Sequence, residues 1–589
     1  MKRVVMLDAC GQGWWLFQQP RQVIQAWAPA EVLPALREIE TAVESRGLWA
    51  AGFISYEAAP AFDSALQTRP DEGFPLLGFG LYPPPQPFVL PPPTDEPDSP
   101  PLDWQPSVAW EEYARAIELI KQHIARGDTY QVNYTLRLRA AFPGDPWALF
   151  LRLAAAQPTP YAAYIDAGAF ALCSASPELF FRLDGDQLTA RPMKGTAPRG
   201  RTLAEDCAQA EWLQQSEKNR AENVMIVDML RNDLGRVAQT GSVQVLELFQ
   251  VERYPTLWQM TSIVQARSHK SFSQVLTALF PCASITGAPK PRTMRIIAAL
   301  EATPRRAYTG CIGYYAPGRQ ARFSVAIRTV CVDRRLGQAE YGAGGGIVWD
   351  STSAGEYDEC LLKAHLITQP RPQFELLETM LWTAQGGFYL LEEHLQRLAE
   401  SAEYFAFALD LSGLRLELNA QDARLRQAAP HPPDQRVRLL LASQGQVTLQ
   451  ALPLPAAEAT PPLHLGIAAA PVDSSDPFLY HKTTRRQVYQ DALVACPGCD
   501  DVLLWNERRE VTETTIANLV YRLGGRLYTP PVSCGLLPGT LRGHVLAVKP
   551  AQGRVLERVL TLDELPACQE LWLINSVRGW RRAVLASTA

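Results

Sequence analysis

The stretch Ser176-Pro-Glu178-Leu-Phe-Phe-Arg-Leu-Asp184-Gly185-Asp186-Gln-Leu-Thr-Ala-Arg191-Pro192-Met193-Lys194-Gly195-Thr196 decides how the first part of this 589-residue chain is read. Two apolar runs flank Asp184-Gly185, a strong short-range hairpin signal. Folding about Gly185 sets Glu178 opposite residues 191–193 and leaves Glu178 and Lys194 neighbours at the hairpin's open end. A carboxyl and an amine held on one rigid element are a candidate acid and nucleophile. On pattern alone a surface ion pair is the commoner outcome.

Outward from the hairpin, strand-like runs at Tyr161–Ile165, Leu179–Leu183 and Phe323–Val330 alternate with helical stretches at 204–231 and 290–301. Upstream, Trp110, Tyr113, Ala114, Ile117, Ile120 and Ile124 recur at helical spacing behind a Ser107 cap. Pro83-Pro-Pro85 through Pro100-Pro101 supports neither a helix interior nor a central strand and reads as a stiff connector. A second boundary falls near Gln369-Pro-Arg-Pro372. The expected organisation is a module over 1–369, with an N-terminal region 1–104 and a core 105–369, then a module over 373–589. The fold class is α/β and α+β, multidomain. One core rarely grows past about 300 residues, so length agrees.

A net charge of −5 and a pI near 6.0 exclude a global basic field for nucleic acid. The cysteines are scattered and read as reduced thiols, and Cys496-Pro-Gly-Cys499 has no second ligand pair to complete a metal site. No uncharged apolar run reaches about 18 residues, and Asp8 interrupts the first one, so a cytoplasmic protein without membrane or signal segment is expected.

Other residues add to the Glu178–Lys194 pair. Glu222 and Glu359 lie on separate expected helices and suit an oxygen-ligated Mg²⁺. Gly342-Ala-Gly344-Gly-Gly346 lets backbone N–H groups approach a carboxylate, and Arg328 offers a bidentate fork for one. Together they describe a site for a small dicarboxylate.

Pro192-Met-Lys-Gly-Thr196, Met225–Arg236, Ser284-Ile-Thr-Gly-Ala-Pro-Lys290, Ile312-Gly-Tyr314, Ile327-Arg-Thr329 and Gly342–Ile347 resemble, in order, the chorismate-utilising enzymes. Within that family anthranilate synthases carry Ala at the Lys194 position, and Pro-(Ile/Met)-Lys-Gly-Thr is similar to the component I branch of aminodeoxychorismate synthases. The resemblance implies an α/β sandwich-type fold. It also implies attack of Lys194 on ring C2 of chorismate while Glu178 protonates the leaving C4 hydroxyl, and entry of ammonia at C4. Glu222 and Glu359 match the metal ligands, and Thr196, Tyr314, Arg328, Gly342, Gly344 and Lys363 the substrate contacts, with Lys290 a further neighbour. Many relatives carry His where this chain has Gln259, and an amide cannot shuttle a proton. No part of the chain resembles a glutamine amidotransferase, so a separate partner of that kind is implied.

In 373–589, Tyr480-His-Lys482, Val511-Thr-Glu513 and Gly535-Leu-Leu-Pro-Gly539-Thr540 provide an amine, a carboxylate and a phosphate seat at a helix N-terminus. With Glu392-Glu-His394-Leu-Gln-Arg397 before them they resemble the fold-type IV pyridoxal phosphate enzymes, which include aminodeoxychorismate lyase and the branched-chain and D-amino acid aminotransferases. By that resemblance Lys482 carries pyridoxal 5'-phosphate, Glu513 pairs with its ring nitrogen, Arg397, Gly539 and Thr540 bind its phosphate, and Ala517, Asn518 and Ser576 lie close by. Family analogy also points to a homodimer through this module. The fusion itself favours the lyase, whose substrate is aminodeoxychorismate, over an aminotransferase. The alternative pairs an anthranilate or isochorismate synthase-like first module with an aminotransferase-like second.

Overall fold

The computed structural model describes all residues except 2, 8–12, 94–101, 369–372, 430, 455–460, 549–552 and 587–589. The connector beyond residue 93 and the boundary at Gln369–Pro372 therefore lie outside the described residues. Contacts divide the chain into two compact units, Met1–Ala197 with Glu211–Arg371, and Pro198–Ala210 with Pro372–Ala589.

The first unit holds two ten-stranded sheets. One places Gln131–Ala141, Gln338–Ile347, Thr329–Asp333, Phe170–Ser176 and Tyr161–Asp166 side by side; the other places Met193–Pro198, Leu257–Arg267, Gln187–Arg191, Leu179–Asp184, Gln320–Val325 and Cys311–Ala316 side by side. Val4, Ile165 and Leu172 of the first sheet share a buried cluster with Ala51, Phe53 and Ile312 of the second, so the sheets pack face to face. Helices Pro29–Arg46, Glu217–Gly235 and Phe272–Leu279 cover the outer face of the second sheet. Trp110–Ala125, Pro146–Ala156 and Ser353–Thr368 cover that of the first. This is the expected sandwich-type module. Burial on both faces is why Cys311–Ala316 is apolar without alternation.

Three local expectations change. Phe323–Val330 is not one strand: Gln320–Val325 ends in one sheet and Thr329–Asp333 begins in the other, with Arg328 between them at φ 50°. The helix over 204–231 is two, Leu203–Gln215 and Glu217–Gly235, because the Ser216 hydroxyl accepts from the Asn219 N–H and starts a new helix. Ser107 does not cap Trp110–Ala125; the cap position is Ala109, and the Ser107 hydroxyl accepts instead from the backbone N–H of Arg137.

The second unit pairs a four-stranded sheet with an eight-stranded one. In the small sheet Leu376–Thr383 and Gln435–Leu441 are central, backed by helices Leu391–Phe405 and Leu411–Gln427. In the larger sheet Val511–Thr514 pairs with both Asp501–Trp505 and Asn518–Leu523, closing a barrel. Pro198–Ala210 belongs to this unit through two arginines. Arg199 forms a buried bidentate pair with Asp206 and donates to the Tyr404 carbonyl, while Arg201 donates to the Tyr480 hydroxyl. Tyr404 stacks on His481, the residue before Lys482.

Breaking a buried ion pair strands the remaining charge, so Arg199→Ala is expected to destabilise the second unit by about 3 kcal/mol. Urea unfolding followed by a signal from that unit measures this. Arg582→Ala, whose partner Glu570 lies 3.6 Å away at the surface, is the control and is expected to change little.

Candidate active sites

Glu178 occupies the point where the chain leaves one sheet of the first unit for the other, between Phe170–Ser176 and Leu179–Asp184. It is buried, and the Ser284 hydroxyl donates to its Oε1 at 2.6 Å. Burial pushes its carboxyl up to about 7, although the Ser284 hydroxyl, the Met193 N–H and the Lys194 charge favour ionisation. A carboxyl near neutrality can deliver a proton at physiological pH.

Lys194 comes from the strand Met193–Pro198, two residues past the return leg of the hairpin. Its Nζ is 3.9 Å from Glu222 and lies over the backbone of Gly346. A Cβ at 346 would collide with both the Lys194 Nζ and the Gln131 amide, a Cβ at 345 with Glu356, and a Cβ at 342 with the ring of Tyr308. The glycines are a strand, Gln338–Ile347, kept bare so that functional side chains can lie flat on it. Gln131, which sequence reasoning missed, is buried, and among the described residues neither of its amide atoms has a hydrogen-bond partner. Only its place beside Lys194 marks it, and no sequence pattern announces that.

Gln259 donates to the Gly195 carbonyl at 2.8 Å, so this amide fixes the backbone beside Lys194 and moves no proton. Thr196 lies further along the Lys194 strand. Arg328 rests over the ring of Tyr254 at 5.5 Å, and its Nη1 has no hydrogen-bond partner among the described residues. Lys363 donates to the Gly344 carbonyl and pairs with Glu359 at 2.7 Å. Tyr314 packs in the inter-sheet aromatic cluster, stacked on Trp49, and Lys290 is committed to Asp233 and two carbonyls.

Glu222, Glu356 and Glu359 gather near Lys194 and the glycine strand. Burial raises the Glu356 carboxyl and the nearby Glu359 charge adds to the rise, while Lys363 lowers that of Glu359. Among the described residues no compact group of three or more metal-ligating side chains occurs. Glu356 and Glu359, which repel one another, and Glu222 beside Lys194 are oxygen donors of the kind that suits a hydrated Mg²⁺, which keeps several waters.

In the second unit Lys482, Glu513, Asn518, Gly539, Thr540 and Ser576 line one cavity of about 450 Å³. Lys482 is pinned through its backbone, its carbonyl accepting from Leu377 N–H. Burial and then the Arg397 charge bring its amine down to about 8. Glu513 accepts from the Tyr489 hydroxyl, the Leu537 N–H and the Asn518 amide, and burial nonetheless raises it to about 7. Gly539 must be glycine because a Cβ there would strike the Asn518 side chain; it caps the helix Thr540–Ala547, whose free N–H groups suit a phosphate. Ala517 closes the turn that returns the chain from Val511–Thr514 to Asn518–Leu523.

Arg397, expected on the phosphate, lines the same cavity, and it donates to both oxygens of Glu378 and to the Pro538 carbonyl, which props the loop before Gly539. Although burial opposes it, the charges of Arg397 and His394 hold Glu378 down at about 2. His394 bridges Ser576 and Thr540 through Nε2 and is a site residue that the sequence motif contained without a role. The donor set fits pyridoxal phosphate: a buried amine, a carboxyl able to face a pyridinium and a helix N-terminus share one cavity.

Comparisons with known proteins follow this division. Residues 2–369 match the family described as chorismate binding enzyme, and 375–585 match amino-transferase class IV. An aminodeoxychorismate synthase of Streptomyces griseus is 43% identical over 270 residues, 45% of this chain and 36% of that protein. Aminodeoxychorismate synthase component 1 of Escherichia coli K12 is 42% identical over 267 residues, 45% and 58% respectively. An anthranilate synthase component 1 of Haloarcula marismortui is 40% identical over 259 residues, 44% and 53%. The chain thus spans between about a third and three-fifths of these relatives. Anthranilate synthase component I from Streptococcus pneumoniae TIGR4 superposes with a TM-score of 0.53 at 26% identity, covering 62% of this chain and 92% of that one. Among the described residues no helix is long and apolar enough to cross a membrane.

Removing the Ser284 hydroxyl takes away a donor that favours ionised Glu178. Ser284→Ala is therefore expected to lift the Glu178 carboxyl above its value of about 7, a shift that carboxyl-carbon NMR titration reads directly.

Proposed function

The chain belongs to the chorismate binding enzymes, and from that premise we propose that it makes 4-aminobenzoate in two steps. The first unit aminates chorismate to 4-amino-4-deoxychorismate, with ammonia from a separate glutamine amidotransferase. The second removes pyruvate from that product. The observation that carries the reading is the conjunction of Lys194 with a buried Glu178 near neutral pKa in one unit and of Lys482 with Glu513 in the other.

In the first step Lys194 Nζ forms a bond to ring C2, the double bonds shift, and the C4 oxygen leaves as water with the proton from Glu178. Ammonia then bonds to C4, and the C2–Nζ bond breaks to release Lys194. Arg328 is free to hold a carboxylate, and the bare glycine strand allows the ring to lie close. Glu222 and Glu359 would hold Mg²⁺, which supplies positive charge to the ring carboxylate. The similarity to anthranilate synthases keeps amination at C2 as the second reading; Lys194, where those enzymes carry Ala, favours C4.

In the second step pyridoxal phosphate supplies an electron sink. Lys482 would anchor it, Glu513 would keep its ring nitrogen protonated, and the Gly539–Thr540 turn with Arg397, Ser576 and His394 would seat its phosphate. The Lys482 amine would take the proton from substrate C4. The C3–O bond breaks, and the enolate leaves and gains a proton as pyruvate. Aromatisation drives this step. A homodimer through the second unit accords with the family analogy.

Purified protein with chorismate, Mg²⁺, pyridoxal phosphate and ammonium is expected to yield equal amounts of 4-aminobenzoate and pyruvate; formation of neither overturns the reading. Lys194→Ala is expected to lose turnover of chorismate by about a thousandfold or more yet still convert supplied aminodeoxychorismate, and Lys482→Ala to behave in the opposite way. Only the neutral amine of Lys482 can capture pyridoxal phosphate. Capture by the apoprotein should thus speed up as pH rises, with a midpoint near 8, followed by the growth of visible absorption.

A further inference from the structure

Cys496 and Cys499 lie outside the cavity that holds Lys482, in the turn between the helix Gln487–Val494 and the strand Asp501–Trp505. Their sulfurs are 3.2 Å apart, and both thiols are free and half-buried. The turn is held at each end. On the helix side the Ala495 N–H donates to the Asp491 carbonyl and the Cys496 N–H to that of Leu493, and Cys496 packs against the buried cluster of Tyr489, Val502 and Leu504. Gly498 reverses the chain at φ 88°. On the far side the Asp500 N–H donates to the His464 carbonyl, and the Asp500 carboxylate accepts from the His464 N–H.

That second clamp ties the turn to the strand Leu463–Ile467, which runs between Asp501–Trp505 and Gly579–Leu585. The residue of this strand beneath the sulfurs is Gly466, and a Cβ there would strike both of them. A bare position in a strand interior weakens it, and here the missing side chain leaves the space that the two sulfurs fill. Solvent reaches the pair, because residues 493–495, 497, 498 and 500 around it are exposed. Among the described residues no group of three or more metal-ligating side chains includes these cysteines, whereas a structural zinc takes four ligands. The hydrogen bond to Cys496 pushes the Cys499 thiol up, and its loss of solvent adds to the rise. Cys499 is thus the proton donor of the pair and Cys496 the sulfur placed to attack first.

We propose that Cys496 and Cys499 are a reversible dithiol–disulfide site that exchanges with low-molecular-weight disulfides. With glutathione disulfide the Cys496 thiolate forms a bond to one sulfur, the glutathione S–S bond breaks, and one glutathione leaves as its thiolate. The Cys499 sulfur then attacks the Cys496 sulfur of the mixed disulfide and expels the second glutathione. The chain gives up two electrons and two protons, and the disulfide that accepts them becomes two thiols. An excess of the small thiol runs the same steps backwards. Only a small rotation of the side chains is needed to bring the sulfurs to the roughly 2.05 Å of a disulfide. The site is independent of both active-site readings, since neither chorismate nor pyridoxal phosphate enters the exchange.

The test uses the full-length protein, fully reduced and then equilibrated with glutathione disulfide and glutathione at set ratios. Free thiols are trapped by alkylation, and peptide masses are read. The peptide that holds residues 496–499 is expected to lose two hydrogens and to carry no glutathione, and to return to two thiols when reduced glutathione is in excess. Exposed Cys207 serves as the internal control and is expected to carry glutathione as a mixed disulfide. Cys499→Ser removes the sulfur that completes the exchange and is expected to trap glutathione on Cys496. Cys496→Ser leaves the thiol with the raised pKa and is expected to react with glutathione disulfide at least about tenfold more slowly than Cys499→Ser does. An unchanged cooperative thermal transition shows that each variant is folded.

The proposal is overturned if both thiols stay unmodified while Cys207 has reacted, or if glutathione remains on both sulfurs. A disulfide that joins two chains instead of closing within the turn overturns it as well, as does a Cys499→Ser variant that takes up no glutathione at Cys496.

Discussion

The first unit depends on one constraint, that the chain crosses between its two sheets twice at the same place. Phe170–Ser176 passes into Leu179–Asp184 through Pro177 and Glu178, and Gln320–Val325 passes back into Thr329–Asp333 through residues 326–328. The crossings hold each other: the Ala175 N–H donates to the Arg328 carbonyl, the Val325 N–H to that of Glu178, and the Ser176 hydroxyl to that of Val325. Backbone groups that would be orphaned at two strand ends satisfy one another, which a buried turn requires. Glu178 and Arg328 therefore sit at a seam between sheets, one an acid made weak by burial and the other a cation with a spare donor. Arg328 adopts a positive φ there, a cost of order 1 kcal/mol or more that the paired crossings sustain.

The second unit reaches a similar result through closure of a barrel. Val511–Thr514 must turn back at once into Asn518–Leu523 while staying paired to Asp501–Trp505, and that tight return places Glu513 opposite Asn518. Asn518 then contacts Glu513, the Leu537 carbonyl and the Gly539 backbone together, so one amide ties the acid to the phosphate seat. Lys482 is fixed from outside the barrel, by the backbone pairing that joins residues 482–484 to residues 375–377 at the start of the small sheet.

These two constraints explain what was legible in the chain and what was not. The Asp184-Gly185 hairpin announces itself because its turn chemistry and flanking apolar runs are local, and it folds as read, with Leu179 opposite Arg191 and Asp184 opposite Gln187. The break at Arg328 is invisible for the opposite reason. Strands buried on both faces show no alternation, so nothing in Phe323–Val330 records that the chain changes sheets. Gly342–Gly346 signals close approach but not what approaches: Tyr308, Glu356, Gln131 and Lys194 arrive from distant parts of the chain. Gln131 carries no spacing relation to Lys194, and Pro198–Ala210 follows the Lys194 strand yet packs with Tyr404 and Tyr480. Long-range assembly of this kind leaves no periodic trace.

A common electrostatic solution connects the two sites. Glu178 and Glu513 are both buried, both sit beside a lysine of the same unit, and both are brought to about 7 with hydroxyl and backbone donors limiting the rise. Burial without those donors would hold each acid neutral well above physiological pH; donors without burial would leave it permanently ionised. Either extreme removes the function, since a proton donor must be able to release its proton and a partner for a ring nitrogen must be able to take negative charge. The hydroxyls of Ser284 and Tyr489 are thus as much a part of the chemistry as the carboxyls they touch, although neither needs to contact a substrate.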